Sequence, residues 1–292
     1  CGGSGMYPLI QILAAKGYEL SGSDVLDGSI IRYEREMGVK VSLGHNADNV
    51  VGADMVVYSA AISKDNVELN AAASYGIPTV ERSVLLGYVS RLYKDSICVS
   101  GTHGKTTTSS MLASVLDAMG YDPTFLIGGI VRAYGSNAHC GKGDYYVVEA
   151  DESDKSFTYL DPTSVLITNI EADHLDFFKD LADVQHSFRE FALRTPEDGC
   201  VVANAEDANT MEALRGVPRR IITFGLTDKA DVYAENIQFV GANSSFDIMY
   251  KGRKFTDVTL HVPGMHNVKN ALAATAASIC LGIRPNAVKY GL

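Results

Sequence analysis

A glycine-rich loop at residues 100–108 constrains the fold of this chain more than any other segment. It follows an apolar run, Ile97–Val99, and precedes a helical pattern that begins near Ser109. A strand, a glycine loop, a lysine, a hydroxyl residue and a helix in this order form a cradle for a nucleotide triphosphate, because backbone N–H groups and the helix N-terminus face the phosphates. The loop departs from the common G-x-x-x-x-G-K-[ST] spacing, since Val99 stands where the first glycine is expected.

Most residues of this phosphate loop (residues 100–108) are candidates for contacts with ATP. Lys105 is long enough to reach the β- and γ-phosphates, and the Thr106 hydroxyl can ligate Mg²⁺. His103 has no role that its chemistry alone assigns, and it could simply support the turn.

Length and composition indicate a folded protein of about two domains. The chain has 292 residues, of which 46% are hydrophobic and 21% charged, so it can bury sizeable cores and is not disordered. Its net charge of −10 argues against a nucleic-acid partner, which favours a basic face. No apolar stretch reaches the ~18 residues of a membrane-spanning helix, so no membrane insertion is expected. The oligomeric state is left open.

The cysteines are odd in number and widely scattered. Several lie in or beside apolar runs, so we expect buried thiols rather than disulfides. Thiols favour the reducing cytosol, and we therefore predict a cytoplasmic protein. The cysteines are Cys1, Cys98, Cys140, Cys200 and Cys280.

Helices and strands alternate along the chain, which is typical of parallel sheets flanked by helices. The predicted fold class is α/β. We predict an N-terminal Rossmann-like parallel-sheet domain at residues 1–94, with its first strand missing. We predict a P-loop ATPase-like α/β domain with a small antiparallel sheet at residues 95–292, because segments between 234 and 262 alternate apolar and polar residues as antiparallel strands do.

The predicted elements follow from these patterns. The strands of the first unit are Tyr18–Ser23, Val39–Leu43 and Met55–Ser59. The parallel strands of the second unit are Ile97–Ser100, Tyr145–Glu149, Val165–Asn169, Val201–Asn204 and Ile221–Phe224. The antiparallel strands are Ala234–Gln238, Ser245–Tyr250 and Lys254–Val262, and the main helices are Thr106–Met119, Val184–Leu193 and Asn267–Leu281.

A glycine cluster opens the chain, and Asp24 ends the next predicted strand. A glycine loop with an acid about 20 residues further on is a dinucleotide-binding fingerprint, in which the acid binds a ribose hydroxyl. The fingerprint is incomplete, because its first glycine would precede Cys1. The cluster could equally form only a tight turn for helix–sheet packing, and both interpretations stay open.

Two further candidates lie where predicted strands end. Glu149 ends the strand at 145–149, and His174 follows the strand at 165–169. Ligands of open α/β sheets bind at the carboxyl ends of the strands, and Mg²⁺ accepts carboxylate and hydroxyl ligands. We therefore favour both as site residues, although a lone histidine is more often a packing or surface residue.

The alanine-rich helix near the end of the chain opens with His266, Asn267 and Asn270. Asn267 could serve as a helix N-cap. An asparagine amide, which both donates and accepts, also suits the edge of an adenine base. Spacing alone favours the cap.

Four motifs in this order resemble the Mur ligase family of ATP-dependent, amide-forming enzymes of peptidoglycan synthesis. They are residues 101–108, 149–154, 168–176 and 264–271. Residues 2–6, 21–24 and 44–45 resemble the UDP-sugar domain of the family member that adds L-alanine, and the resemblance covers essentially the whole chain.

The resemblance implies a ligase that adds L-alanine to the lactyl carboxylate of UDP-N-acetylmuramate through an acyl phosphate, with ATP and Mg²⁺. Lys105, Glu149 and His174 become the catalytic candidates. Thr106 and Glu149 would hold one Mg²⁺, and His174 a second.

The resemblance also assigns the nucleotide contacts. At the phosphate loop, ATP would contact Gly101, Thr102, His103, Gly104, Lys105, Thr106 and Thr107. His266, Asn267 and Asn270 would border the adenine. The resemblance therefore favours Asn267 as a nucleotide ligand over its interpretation as a helix N-cap. The UDP-sugar would contact Gly3, Ser4, Gly5, Asp24 and His45, with the last two beside the uridine.

The chain departs from the family pattern at two places. Residues 186–190 hold no lysine where several members carry a carbamylated one, so none is expected here. Members have a third, C-terminal domain, which we expect to be absent because the chain stops at Leu292. We therefore expect a fragment that binds nucleotide but ligates poorly.

Three other functions remain open. A sibling ligase recycles a murein tripeptide onto UDP-N-acetylmuramate, and the chain could instead be a non-catalytic nucleotide-binding fragment. An NAD-dependent enzyme would explain the opening glycines but not Lys105 and Glu149.

Overall fold

A computed structural model describes residues 1–151, 156–173 and 177–292. The chain divides into two compact units, Cys1–Val89 and Ser90–Leu292. Each unit has hydrophobic clusters of its own.

The first unit alternates helices with short parallel strands. Strand β1 pairs with β2, and β3 with β4, in both cases in parallel. Helix α3 begins after Asn66, whose side chain accepts the Glu68 N–H, and ends at Gly76 in the left-handed conformation, as is usual for helix caps. The elements are α1 Tyr7–Ala15, β1 Ser21–Asp24, α2 Ser29–Glu36, β2 Lys40–Leu43, a 3₁₀ turn Ala47–Val50, β3 Val56–Tyr58, α3 Val67–Tyr75, β4 Thr79–Glu81 and α4 Arg82–Ser90.

The second unit is built on a large mixed sheet. Its strands are β5 Asp95–Ser100, β6 Thr124–Val131, β7 Ser136–His139, β8 Tyr145–Glu149, β9 Ser164–Ile167, β10 Cys200–Asn204, β11 Arg220–Phe224, β12 Val232–Val240, β13 Asn243–Tyr250 and β14 Arg253–Leu260. Its helices are α5 Lys105–Ala118, α6 Leu181–Leu193, α7 Ala208–Ala213, α8 Met265–Cys280 and α9 Pro285–Gly291, with a 3₁₀ turn at Ser156–Tyr159.

Strand β5 lies inside this sheet, between β9 and β8, and pairs with both in parallel. All residues of β9 and β10 are buried, as expected for parallel strands covered on both faces. Because β5, β8 and β9 run in parallel, their carboxyl ends meet at one edge, where the phosphate loop begins.

The α/β class and the parallel sheets are confirmed, and the predicted strands lie within a few residues of the observed ones. The antiparallel strands β12–β14 are also confirmed, but they extend the main sheet through a Phe224–Val232 pairing rather than forming a sheet of their own. The sequence did not predict β4, β6 or β7. Strand β6 contains Gly128 and Gly129, and two adjacent glycines are more typical of a turn than of a strand.

The expectation that all cysteines are thiols was wrong for one pair. Cys200 at the start of β10 and Cys280 at the end of α8 form a disulfide, with their Cα atoms 6.1 Å apart. The packing of α8 against the sheet brings together residues separated by 80 positions, which no local pattern reveals. Cys98 keeps its thiol, and burial raises its pKa to about 12.

Over the described ranges, no helix combines the length and the apolar character needed to cross a membrane.

Candidate functional site

The phosphate loop connects β5 to α5 at the carboxyl edge of the second unit's sheet. Gly101 and Gly104 have φ values of +128° and +88°, which side chains rarely adopt. A Cβ at Gly101 would lie 2.2 Å from Thr168 Oγ1, and one at Gly104 would lie 2.6 Å from Asn270 Oδ1. Both glycines are therefore required by backbone conformation and by close neighbours.

Asn169, which follows β9, holds the loop from the side. Its Nδ2 donates to the His103 carbonyl at 3.0 Å, and its Oδ1 accepts the His103 N–H at 2.9 Å. Its carbonyl accepts the Thr102 N–H at 3.1 Å. The candidates above did not include Asn169. The signal available in the sequence was an amide side chain directly after a buried strand at the same sheet edge.

Lys105 and Thr106 open α5 beneath the loop. Lys105 Nζ donates to the Gly101 carbonyl at 2.7 Å. Thr106 Oγ1 lies 3.1 and 3.0 Å from the two carboxylate oxygens of Glu149, at the end of β8. Glu149 also accepts the Gly128 N–H at 2.6 Å. The structure thus brings together three of the predicted residues, while Thr107 lies half-buried one position further along α5.

The donor set of this pair suits Mg²⁺. A threonine hydroxyl and a carboxylate are hard oxygen ligands, which Mg²⁺ prefers, usually with waters and substrate phosphates completing its shell. Among the described residues no cluster of three or more histidine, cysteine or acidic side chains could hold a metal by itself. His174, the other predicted metal ligand, lies outside the described residues.

The start of α8 also faces the loop. Asn270 Oδ1 accepts a hydrogen bond from Thr108 Oγ1 at 3.4 Å, so this asparagine contacts the loop and the first turns of α5. Asn267 is not the cap that its spacing suggested, because the helix is capped by Gly264. Its Nδ2 donates back to the Pro263 carbonyl at 2.7 Å. His266 is exposed on the same turn.

His103 extends away from the loop. Its side chain is 70% exposed, and its Nε2 lies 3.7 Å from Glu171 Oε2. Glu171 in turn donates its N–H to Thr102 Oγ1 at 3.0 Å. These contacts tie the loop to the segment after β9, in the same direction as the Asn169 bonds.

In the first unit, two of the predicted UDP-sugar residues lie at the carboxyl edge of β1 and β2. Asp24 ends β1, its Oδ1 accepts the Leu26 N–H at 3.0 Å, and its carbonyl accepts the Gly44 N–H at 2.8 Å. His45 follows β2, and its Nδ1 lies 3.1 Å from Ser23 Oγ. Gly3, Ser4 and Gly5 are exposed before α1.

Arg82, the first residue of α4, was not a candidate from sequence. Its guanidinium lies 3.5 Å from the position a Cβ would take at Gly5. A cation beside a glycine turn at a helix N-terminus creates a positive environment for an anion. The signal in the sequence was a lone arginine, which has no distinguishing pattern.

Comparison with known proteins decides the family. A model of the Mur ligase middle domain matches residues 99–278, and a model described as the Mur ligase family catalytic domain matches residues 1–94. The chain belongs to the Mur ligase family. The resemblance predicted from the four motifs is therefore confirmed.

Individual relatives point to one branch of this family. The UDP-N-acetylmuramate–L-alanine ligase of Caldanaerobacter subterraneus subsp. tengcongensis is 42% identical over 283 residues, which are 97% of this chain and 62% of that protein. The ligase of the same name from Bordetella avium is 47% identical over 296 residues, covering 100% of this chain and 63% of that protein. The chain thus spans less than two thirds of the length of these relatives.

Solved structures of Mur ligases share the fold. The UDP-N-acetylmuramate:L-alanyl-γ-D-glutamyl-meso-diaminopimelate ligase from Neisseria meningitides matches with a TM-score of 0.86 at 28% identity, covering 100% of this chain and 94% of that one. The UDP-N-acetylmuramate–alanine ligase from Thermotoga maritima matches with a TM-score of 0.81 at 31% identity, covering 100% and 66%.

Proposed function

We propose that this Mur ligase chain carries the ATP site and the UDP-sugar site of a UDP-N-acetylmuramate–L-alanine ligase. The observation that carries the proposal is the phosphate loop with Lys105 at its end and the Thr106–Glu149 pair beside it. Relatives with 42% and 47% identity that bear this name support the choice of substrate.

The proposed reaction joins an amine to a carboxylate in two steps. A lactyl carboxylate oxygen attacks the γ-phosphorus of ATP, the bond to the β,γ-bridging oxygen breaks, and ADP leaves. The amine of L-alanine then attacks the acyl carbon, loses a proton to solvent, and expels inorganic phosphate. Positioning and charge neutralisation dominate such phosphoryl transfers, so the site needs ordered donors and cations more than a covalent nucleophile.

Lys105 and Thr106 have distinct proposed parts in this scheme. Lys105 would exchange the Gly101 carbonyl for the β- and γ-phosphates, because an ammonium group prefers an anion to a neutral acceptor. The backbone N–H groups at the start of α5, which begins at Lys105, would cradle the same phosphates. Thr106 and Glu149 would hold a Mg²⁺ ion, which supplies charge neutralisation at the phosphate oxygens. His266, Asn267 and Asn270 would border the adenine.

The first unit would bind the UDP-sugar. Its exposed glycine turn (Gly3, Ser4 and Gly5) lies beside the Arg82 guanidinium, which suits a diphosphate. Asp24 and His45, at the ends of adjacent parallel strands, would border the uridine.

A tripeptide-adding ligase is the second candidate. The structural match to the Neisseria enzyme, which uses a peptide as its name states, has a TM-score of 0.86 against 0.81 for the alanine ligase of Thermotoga. Sequence identity favours an alanine-adding ligase instead. The chain is 47% identical to the alanine ligase of Bordetella avium and 28% identical to the peptide ligase of Neisseria.

Phosphate release by the full-length protein tests the proposal. We expect release to require both UDP-N-acetylmuramate and L-alanine, with little activity when the tripeptide replaces alanine. Lys105→Ala should abolish turnover, whereas Lys64→Ala, an exposed lysine of the first unit, should leave it unchanged. Full turnover by the Lys105 variant would refute the site assignment, and a preference for the tripeptide would favour the second candidate.

A further inference from the structure

Glu68, in the first turn of α3, is the centre of a polar cluster beside the proposed uridine site. Its Oε2 accepts the Ser23 hydroxyl at 2.7 Å and lies 3.1 Å from His45 Nδ1. Its Oε1 accepts Asn49 Nδ2 at 2.6 Å and the Asn46 N–H at 3.4 Å. The Glu68 side chain is 13% exposed and that of His45 is 24% exposed, so the network is largely shielded and the imidazole keeps some exposed surface.

The protons of this cluster can be assigned from its geometry. The Ser23 hydroxyl has one hydrogen, and donating it to Glu68 leaves only its lone pairs for His45 Nδ1, 3.1 Å away. Burial raises the pKa of the Glu68 carboxyl, but the hydrogen bonds from Asn49, Ser23, Asn46 and His45 outweigh it and hold the pKa below its usual value. Glu68 is therefore a carboxylate with no proton to give. Both neighbours of His45 Nδ1 are acceptors, so Nδ1 must carry a hydrogen.

A neutral imidazole with its hydrogen on Nδ1 has an unprotonated Nε2, which accepts hydrogen bonds. Over the described parts of the chain, no hydrogen-bond partner is recorded for His45 Nε2. In its neutral form the ring thus presents an acceptor at Nε2, on the edge that faces away from Glu68.

We propose that Glu68 is a positioning residue that fixes His45 in the Nδ1–H form, so that Nε2 accepts the N3–H of a uracil base and rejects cytosine. The proposal rests on the function proposed for the first unit. Uracil presents a donor at N3, whereas cytosine presents an acceptor there and an amino group beside it. An acceptor paired with an acceptor leaves both groups unsatisfied, which costs more than a missing contact.

A serine–histidine–acid arrangement also occurs in hydrolases, but these contacts do not fit one. A nucleophilic serine donates its hydrogen to the histidine, with the acid on the opposite ring nitrogen. Here the serine donates to the acid, and all three groups meet at the same ring nitrogen, Nδ1. The cluster orients the ring and does not activate the hydroxyl.

The ring nitrogens of His45 provide the first test, in the unaltered chain. Nitrogen NMR of ¹⁵N-labelled protein, assigned with a His45→Gln variant, should show the neutral ring protonated at Nδ1 and unprotonated at Nε2. A proton on Nε2 in the neutral ring would overturn the proposal. This measurement needs no change at Glu68, so a folding defect cannot obscure it.

Nucleotide selectivity provides the second test. Glu68→Gln offers an amide that can donate to Nδ1 and so permits a proton on Nε2. We expect this variant to bind UDP roughly tenfold more weakly while CDP affinity stays constant or rises, so that the UDP/CDP ratio falls. Glu19→Gln, an exposed glutamate paired with Lys40, is the matched control and should keep the wild-type ratio.

The outcomes distinguish failure of the role proposed for Glu68 from failure of the UDP-sugar site proposed for the first unit. A Glu68→Gln variant that loses UDP and CDP affinity equally would show a merely structural role and overturn the proposal. If the unaltered chain binds neither UDP nor UDP-N-acetylmuramate, the function proposed for the first unit fails, and base recognition by His45 fails with it. In that case the nitrogen spectrum still decides whether Glu68 fixes the ring.

Discussion

The shape of the phosphate loop depends on a residue that is not part of it. The Asn169 side chain binds both the N–H and the carbonyl of His103, which are the groups that a tight loop leaves unpaired. An amide is suited to this task because it offers one donor face and one acceptor face. Both backbone polar groups of His103 are therefore paired, which holds the loop in one shape.

Replacing Asn169 should weaken nucleotide binding. Asn169→Ala removes two hydrogen bonds worth about 1 kcal/mol each, so we expect the Kd for Mg-ATP to rise by up to roughly thirtyfold. Asn169→Asp keeps the acceptor but sets a carboxylate against the His103 carbonyl, so it should also bind weakly. Calorimetric titration measures both, with Asn243→Ala as the control on an exposed hairpin. An unchanged Kd in Asn169→Ala would contradict the proposed support of the loop.

Some residues of the proposed sites could be predicted from the sequence, and others could not. Lys105, Thr106 and Glu149 could be predicted because each lies at a fixed offset from a strand or loop. Asn169, Glu68 and Arg82 were not predicted as site residues. The contacts that suggest a role for them are with residues distant in the sequence. Glu68 lies 45 positions from Ser23, and Asn169 lies 66 positions from His103.

At the scale of elements, α8 links the sheet to the phosphate loop. Its central residues are alanines with almost no exposed surface, and small side chains let the helix pack close to its neighbours. Asn270 then reaches Thr108 on α5, and Lys269 Nζ pairs with Glu206 Oε2 at 2.9 Å. The buried alanines are Ala271, Ala273, Ala274, Ala276 and Ala277.

Enlarging one of these alanines should destabilise the second unit. Ala274 is 0% exposed, so Ala274→Leu must displace packed neighbours, at a cost of about 1–3 kcal/mol. Ala182→Leu, at an exposed position of α6, is the matched control and should change stability by less than about 0.5 kcal/mol. Urea unfolding followed by circular dichroism measures both. Equal midpoints for the two variants would argue against close packing of α8.

Strands were predicted correctly where the sequence has a clear apolar run. Strands β8 and β10 are mostly buried apolar runs, and β11 alternates half-buried with buried residues from Ile221 to Phe224. All three were predicted to within a residue of their observed ends. Strand β6 carries two glycines, and β7 is short and polar, so neither has a strand signal of its own. The sheet supplies their hydrogen bonds, which is a tertiary effect that overrides local preference.

At the scale of the whole molecule, the chain holds two units with separate cores. The clusters described in the first unit include one around Met6, Ile10 and Val39 and another around Val50, Ala71 and Ala72. The second unit has an extensive cluster that spans the sheet and helices α5, α8 and α9. Hydrophobic stabilisation grows with buried apolar area, so the first unit should be the less stable one.

Thermal unfolding of the chain should therefore show two transitions that respond to different ligands. Because a ligand stabilises only the state that binds it, UDP should raise the lower midpoint, assigned to the first unit, and Mg-ATP the higher one. At a ligand concentration of about 100 times Kd the stabilisation is about 2.7 kcal/mol, enough to shift either midpoint by several degrees. Differential scanning calorimetry measures both shifts. Lys105→Ala should remove the response to Mg-ATP alone, and His45→Gln the response to UDP alone. A single transition that both ligands shift equally would mean that the units unfold together.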